Sequence, residues 1–115
     1  MGILLDKNTK VIVQGITGNE ADYWVEKMMD CGTNIVGGVT PGRGGTKINS
    51  IPVYNSIKSL KQEHKVDLSV LFVPPRFAKD AAFEAIESQI ETIVILADGV
   101  PMQDILEIKE FAKNN

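Results

Sequence analysis

Two short stretches of this sequence carry the residue types that hold phosphates. In Gly15-Ile16-Thr17-Gly18-Asn19-Glu20-Ala21, small residues recur at positions 15, 18 and 21. Such spacing lets a chain turn tightly, approach a ligand with bare backbone and start a helix whose first N–H groups face an anion. It serves equally well as a tight turn with no ligand. Glu20 cuts against a phosphate, because an acid in the first helical turn favours the helix dipole but repels a bound anion. The second stretch, Pro41-Gly42-Arg43-Gly44-Gly45-Thr46-Lys47, is a glycine loop with two cations and no acid. A site of the NAD type wants Asp or Glu at the end of the preceding strand, for the ribose hydroxyls. Here Gly37-Gly38-Val39-Thr40 stands there, and Arg43 is suited to grip a phosphate with paired hydrogen bonds. The pattern suits a phosphorylated ribose: the 3′-phosphate of coenzyme A or the 2′-phosphate of NADP. A solvated glycine turn with ordinary surface charges is the other reading.

Further along, Val73-Pro74-Pro75 and Leu96-Ala97-Asp98-Gly99-Val100-Pro101 bring prolines that stiffen a wall for a flat base, or that only end strands. Asp98 either accepts hydrogen bonds from a ligand or starts the turn that Gly99 completes. The remaining reactive residues read as structural. His64, among Lys61, Glu63 and Lys65, is a surface residue complementing a helix C-terminus. Cys31, late in the first helix, is a packed thiol, and Trp24, Met28 and Met29 belong to a core stripe. No Ser/His/Asp, Cys/His or metal-ligand spacing is visible, so the sequence offers no catalytic residue and no metal site.

The elements that must position these loops follow from periodicity. Lys10-Val11-Ile12-Val13-Gln14 is a strand buried on both faces, and Ala21, Trp24, Val25, Met28 and Met29 mark a helix that Gly32 stops. Ile35–Val39 is a second strand. Ser56 caps a short helix reaching about His64, and Asp67–Val73 is a third strand stopped by Pro74-Pro75. Ala78, Ala81, Ala82, Ala85 and Ile86 define the next helix, Thr92–Ala97 a fourth strand, and Pro101 opens a last amphipathic helix. Alternation of continuous apolar strands with helices predicts an α/β fold: a Rossmann-like, doubly wound parallel sheet of about four strands with helices on both faces. Ligands bind such sheets beyond the carboxyl ends of the strands, which singles out loops 15–20, 40–47, 73–77 and 97–100. Numbering these four strands in chain order, a 3-2-1-4 arrangement puts Thr92–Ala97, uncharged and free of proline, at an edge, where the chain is expected either to self-associate or to cover the strand with its own C-terminal helix.

Composition bounds the rest. With 115 residues the chain forms a single domain, residues 1–115. Twelve Lys+Arg against fifteen Asp+Glu give a net charge of −3, which offers no broad basic face for nucleic acid. No apolar run suits a membrane span or a signal peptide, and the single cysteine fits a reducing compartment, so a cytoplasmic location is expected.

Taken together, these loops resemble the N-terminal coenzyme A-binding domain of the α subunit of succinate–CoA ligase (succinyl-CoA synthetase). The resemblance runs along essentially the whole chain from Ile3, and is most specific at Val36-Gly37-Gly38-Val39-Thr40-Pro41-Gly42-Arg43-Gly44-Gly45 and at Ile51-Pro52-Val53-Tyr54-Asn55. It implies coenzyme A as cofactor, with Gly15, Thr17, Gly18, Asn19, Glu20, Pro41 and Arg43 on one side. Val73, Pro74, Leu96, Ala97 and Asp98 complete the nucleotide site. Glu20 stands where the family usually has Gln, Ala21 for Gly, Arg43 for Lys, and Ala97-Asp98 for Thr-Glu. The implied reaction is reversible acyl-CoA formation coupled to a nucleoside diphosphate, as in the tricarboxylic acid cycle, together with a β subunit. The family's phosphorylated histidine belongs to a separate ligase domain to which no part of this sequence corresponds, and the chain alone is expected to be inactive. An NADP-type redox domain and a regulatory module with a degenerate site are the alternatives.

Overall fold

The computed structural model of the chain describes residues 8–16 and 19–95. At its centre lies β1 (Lys10–Gln14), whose Val11, Ile12 and Val13 are fully buried because both faces of the sheet are covered. The chain continues through α1 (Asn19–Asp30), β2 (Asn34–Val39), β3 (Lys47–Ile48), β4 (Ile51–Tyr54), α2 (Ile57–Lys61), β5 (Leu68–Leu71), α3 (Pro75–Glu87) and β6 (Thr92–Ile95). The sheet runs β3-β4-β2-β1-β5-β6. Among the described residues every pairing is parallel except that of β3 with β4.

Period-two alternation sorts the core into two layers. Val11, Val13, Leu68 and Val70 lie on the α1 side with Val25 and the half-buried Met28. Ile12 and Val39 lie on the other side with Ile57 and Leu60 of α2 and Ala85 of α3. Helices thus cover both faces, as the doubly wound class requires. The pairing of β1 with β2 slips by one residue after Val11, so that Gly38 stands opposite Val13. Ile16 then packs where a side chain on Gly38 would be: a Cβ there would come within 2.5 Å of it.

Several expectations change. Among the described residues the sheet has six strands where about four were expected, because Ile51–Tyr54 and Lys47–Ile48 are strands as well. The strand expected to lie beyond β2 is β5, which instead flanks β1, and β4 takes the place beyond β2. Counting β4 as the third strand restores the usual order for this winding. The Thr92 strand does end the sheet among the described residues. Pro75 does more than stop a strand: it opens α3. On α1 Ala21 and Val25 are fully buried, whereas Tyr23, Trp24 and Met29 are 57%, 45% and 42% exposed. Cys31 is exposed rather than packed, because α1 ends at Asp30 and the chain turns outward at Gly32. Helix α2 stops at Lys61, and His64 is half-buried with its ring edge-on to Tyr54, 6.3 Å between centroids. The last helix expected from Pro101 lies outside the described residues. Among the described residues, no helix is long and apolar enough to cross a membrane.

Candidate functional site

At the carboxyl ends of β1, β2 and β5 the sheet opens into a cavity of about 570 Å³. This is where the winding reverses direction, so the chains leaving β1 and β5 part and leave a crevice. Its floor is Gln14 and Gly15. One wall is Val39, Thr40 and Pro41, and the other is Phe72, Val73 and Pro74 with Phe77 and Ala81 from α3. The lining is mostly apolar, while Asp80 and Glu84 put carboxylates on the α3 side. Glu84 is partly engaged, since its Oε2 accepts the Ile57 backbone N–H at 2.8 Å and so helps to start α2.

Each wall has a local cause. Gly15 has φ +84°, and a side chain there would press within 3.0 Å of the Phe72 carbonyl carbon. Only glycine lets the chain leave β1 this close to β5. The Gly15 N–H donates to the Val39 carbonyl at 2.8 Å, tying the floor to the opposite wall. Below it, Gln14 is buried. Its Nε2 donates to the Ala81 carbonyl at 3.0 Å, and its Oε1 accepts from the Ser69 hydroxyl at 2.6 Å. One amide therefore fastens β1, β5 and α3 together directly under the cavity. Nothing in the sequence reading marked it, since a lone Gln closing an apolar strand looks like a strand end.

The 40–47 loop is two consecutive turns. Pro41 and Gly42 (φ +85°) occupy the centre of the first, closed by the Arg43 N–H on the Thr40 carbonyl at 3.0 Å. This is the pattern of a type II turn. Gly44 and Gly45 (φ +91°) form the second, closed by the Thr46 N–H on the Arg43 carbonyl at 3.2 Å and by the Thr46 hydroxyl on that same carbonyl at 2.7 Å. Arg43, at the junction of the two turns, is exposed. Asn55, quoted above only as part of a resemblance, stands behind the loop: its Oδ1 accepts the N–H groups of Gly42 and Gly44, each at 2.9 Å. Next to it, burial and the Glu63 carboxylate, which accepts a hydrogen bond from the Tyr54 hydroxyl, push the Tyr54 pKa up.

Of the residues singled out from sequence, Gly15, Pro41, Val73 and Pro74 line the cavity, whereas Arg43, two positions after Pro41, is not among its lining residues. Asn19 and Glu20 form the first turn of α1. Thr17, Gly18, Leu96, Ala97 and Asp98 lie outside the described residues. Among the described residues no three His, Cys, Asp or Glu side chains gather as metal ligands. The arrangement offers an apolar slot for a flat heterocycle and a cation on a braced loop for an anion attached to it.

Comparison with known proteins gives these features a context. Over residues 6–99 the chain matches the family described as CoA binding domain. It is 49% identical over 112 residues to the ADP-forming sulfoacetate-CoA ligase subunit SqwL of Acholeplasma sp, covering 97% of this chain and 38% of that protein. With the succinate–CoA ligase (ADP-forming) subunit alpha of Aquifex aeolicus it shares 42% identity over 115 residues, covering 100% of this chain and 38% of that subunit. Among solved structures, ATP citrate lyase from Methanothrix soehngenii in complex with citrate and coenzyme A matches with a TM-score of 0.78 at 26% identity. That match covers 97% of this chain and 20% of that one. The chain thus spans well under half the length of these relatives.

Proposed function

Because the chain belongs to the CoA-binding domain family, we propose that it binds coenzyme A across the crevice formed by β1, β2 and β5. One observation carries the reading furthest: the loop that lends Pro41 to the apolar slot is braced by Asn55 and bears an exposed arginine two residues on, with no acid there for ribose hydroxyls. In this reading the adenine ring rests between Pro41 on one side and Val73 and Pro74 on the other. The 3′-phosphate meets Arg43, and Gly15, Thr17, Gly18, Asn19 and Glu20 lie along the diphosphate at the start of α1. Asp80 and Glu84 repel phosphates from the α3 side, which orients the ligand with its phosphates toward Arg43. Leu96, Ala97 and Asp98 complete the site. Glu20 lowers affinity relative to a neutral residue at the same place.

In a longer parent protein the domain serves reversible acyl-CoA formation in partnership with a second, β-type subunit in the cytoplasm. The acid is a small carboxylate with a second anionic group, as succinate and sulfoacetate both are. NADP, whose 2′-phosphate would also suit Arg43, is the second reading. Titration calorimetry with coenzyme A, 3′-dephospho-coenzyme A, NADP and NAD tests the proposal. Coenzyme A should bind tightest, and Arg43→Ala should cost about 1.5–3 kcal/mol, roughly ten- to a hundredfold in affinity, for the 3′-phosphorylated form alone. Equal affinity of the unaltered chain for coenzyme A and its dephospho form would refute the role of Arg43, and preference for NADP would favour the second reading.

A further inference from the structure

We propose that Asn55 is the positioning residue through which the 40–47 loop recognises a ribose phosphate, acting as a neutral internal acceptor that holds Arg43 in place. The inference rests on the coenzyme A reading and deepens it. Asn55 follows β4 directly, on an element that does not border the cavity, yet its Oδ1 takes the N–H of Gly42 and the N–H of Gly44 at 2.9 Å each. Those two amides flank Arg43 in sequence. The Arg43 N–H is itself committed to the Thr40 carbonyl, and its carbonyl accepts two bonds from Thr46. Three successive amides, 42 to 44, are therefore spent inside the protein. Unlike a phosphate-cradling glycine loop, this one does not offer those N–H groups to an anion, so recognition falls to the Arg43 side chain.

A loop with three glycines in eight residues has much conformational freedom, and ordering it on binding costs affinity. Asn55 removes that freedom beforehand. The fit is close enough to account for Gly44 as well: a side chain there would come within 2.6 Å of the Asn55 amide. Neutrality matters too. An Asp at this position would accept the same two bonds, but would fix a carboxylate under the loop that competes with the phosphate for Arg43.

The test compares Asn55→Ala and Asn55→Asp with the unaltered chain, reading the ratio of affinities for coenzyme A and 3′-dephospho-coenzyme A by calorimetry. A general loss of structure weakens both ligands and leaves their ratio unchanged, whereas loss of positioning shrinks the ratio. Asn55→Ala should shrink it at least fivefold while dephospho-coenzyme A binding changes less than twofold, and the Gly42 and Gly44 amides should exchange faster with solvent. Asn55→Asp should keep those amides protected, yet shrink the ratio by an amount that declines with added salt. Asn55→Asp also decides the matter should the alanine variant fail to fold. A ratio near one in the unaltered chain overturns the reading of Arg43 and this inference with it. A large ratio that survives in both variants overturns the inference alone.

Discussion

Gln14 shows how one side chain shapes a binding site that it need not touch through its own polar atoms. Both ends of its amide are occupied, by the Ala81 carbonyl and the Ser69 hydroxyl, and the residue is buried at 2% exposure. Among the described residues no buried side-chain polar atom lacks a partner, so this small network is complete. Removing one member should cost more than removing both, because a stranded hydroxyl keeps its desolvation penalty. We expect Gln14→Leu to destabilise the chain by about 1–3 kcal/mol, and Ser69→Ala in the same chain to restore part of that loss. Urea unfolding of the two single variants and the double variant measures this. Additive losses would mean that the 2.6 Å contact is energetically idle.

The elements divide into those that pack and those that present loops, and α1 does the first with only part of the face its sequence suggests. Val25 is fully buried against β1 and β4, whereas Trp24 is 45% exposed and meets Tyr23 edge-on at 5.4 Å. The two residues are neighbours in sequence, about 100° apart around the helix, and the packed face centres on Ala21 and Val25. Val25→Ala should cost about 1.5–3 kcal/mol and Trp24→Ala less than about 1 kcal/mol, despite the much larger side chain removed. Thermal or urea unfolding decides it, and a larger loss at Trp24 would reverse the assignment of faces. The β4 strand shows the opposite problem. Pro52 within Ile51–Tyr54 argues against a strand, yet the segment pairs with β2 through Gly38 with Val53 and Val39 with Tyr54. It lies near the sheet margin, where a missing N–H is tolerated.

At the scale of the whole molecule, neither a histidine nor a cysteine lines the crevice among the described residues. His64, half-buried against Tyr54, is not among the residues lining the cavity, and Cys31 lies at the end of α1 away from the carboxyl edge of the sheet. We expect the 115-residue chain to bind coenzyme A without forming acyl-CoA. His64 should stay unmodified after incubation with ATP, magnesium and succinate. Intact-mass spectrometry checks this, and stoichiometric phosphorylation at His64 would overturn it. Saturating coenzyme A should also raise the unfolding temperature, since a ligand at a hundred times its Kd adds about 2.7 kcal/mol to stability.

What the sequence determined by itself was local. Apolar runs marked β1, β2, β5 and β6, glycine spacing marked both loops, and the absence of an acid after β2 together with Arg43 pointed to a phosphorylated ribose. These signals lie within a few residues of one another, where backbone geometry and side-chain period act directly. The tertiary structure alone decided what depends on residues far apart in the chain. The pairing of β5 with β1, the bonds of Asn55 to a loop eleven and thirteen residues earlier, and the meeting of Gln14 with Ser69 and Ala81 across 55 and 67 residues leave no periodic trace. A hydrogen bond between distant residues depends on where packing delivers them, and packing is a property of the assembled layers rather than of any one segment.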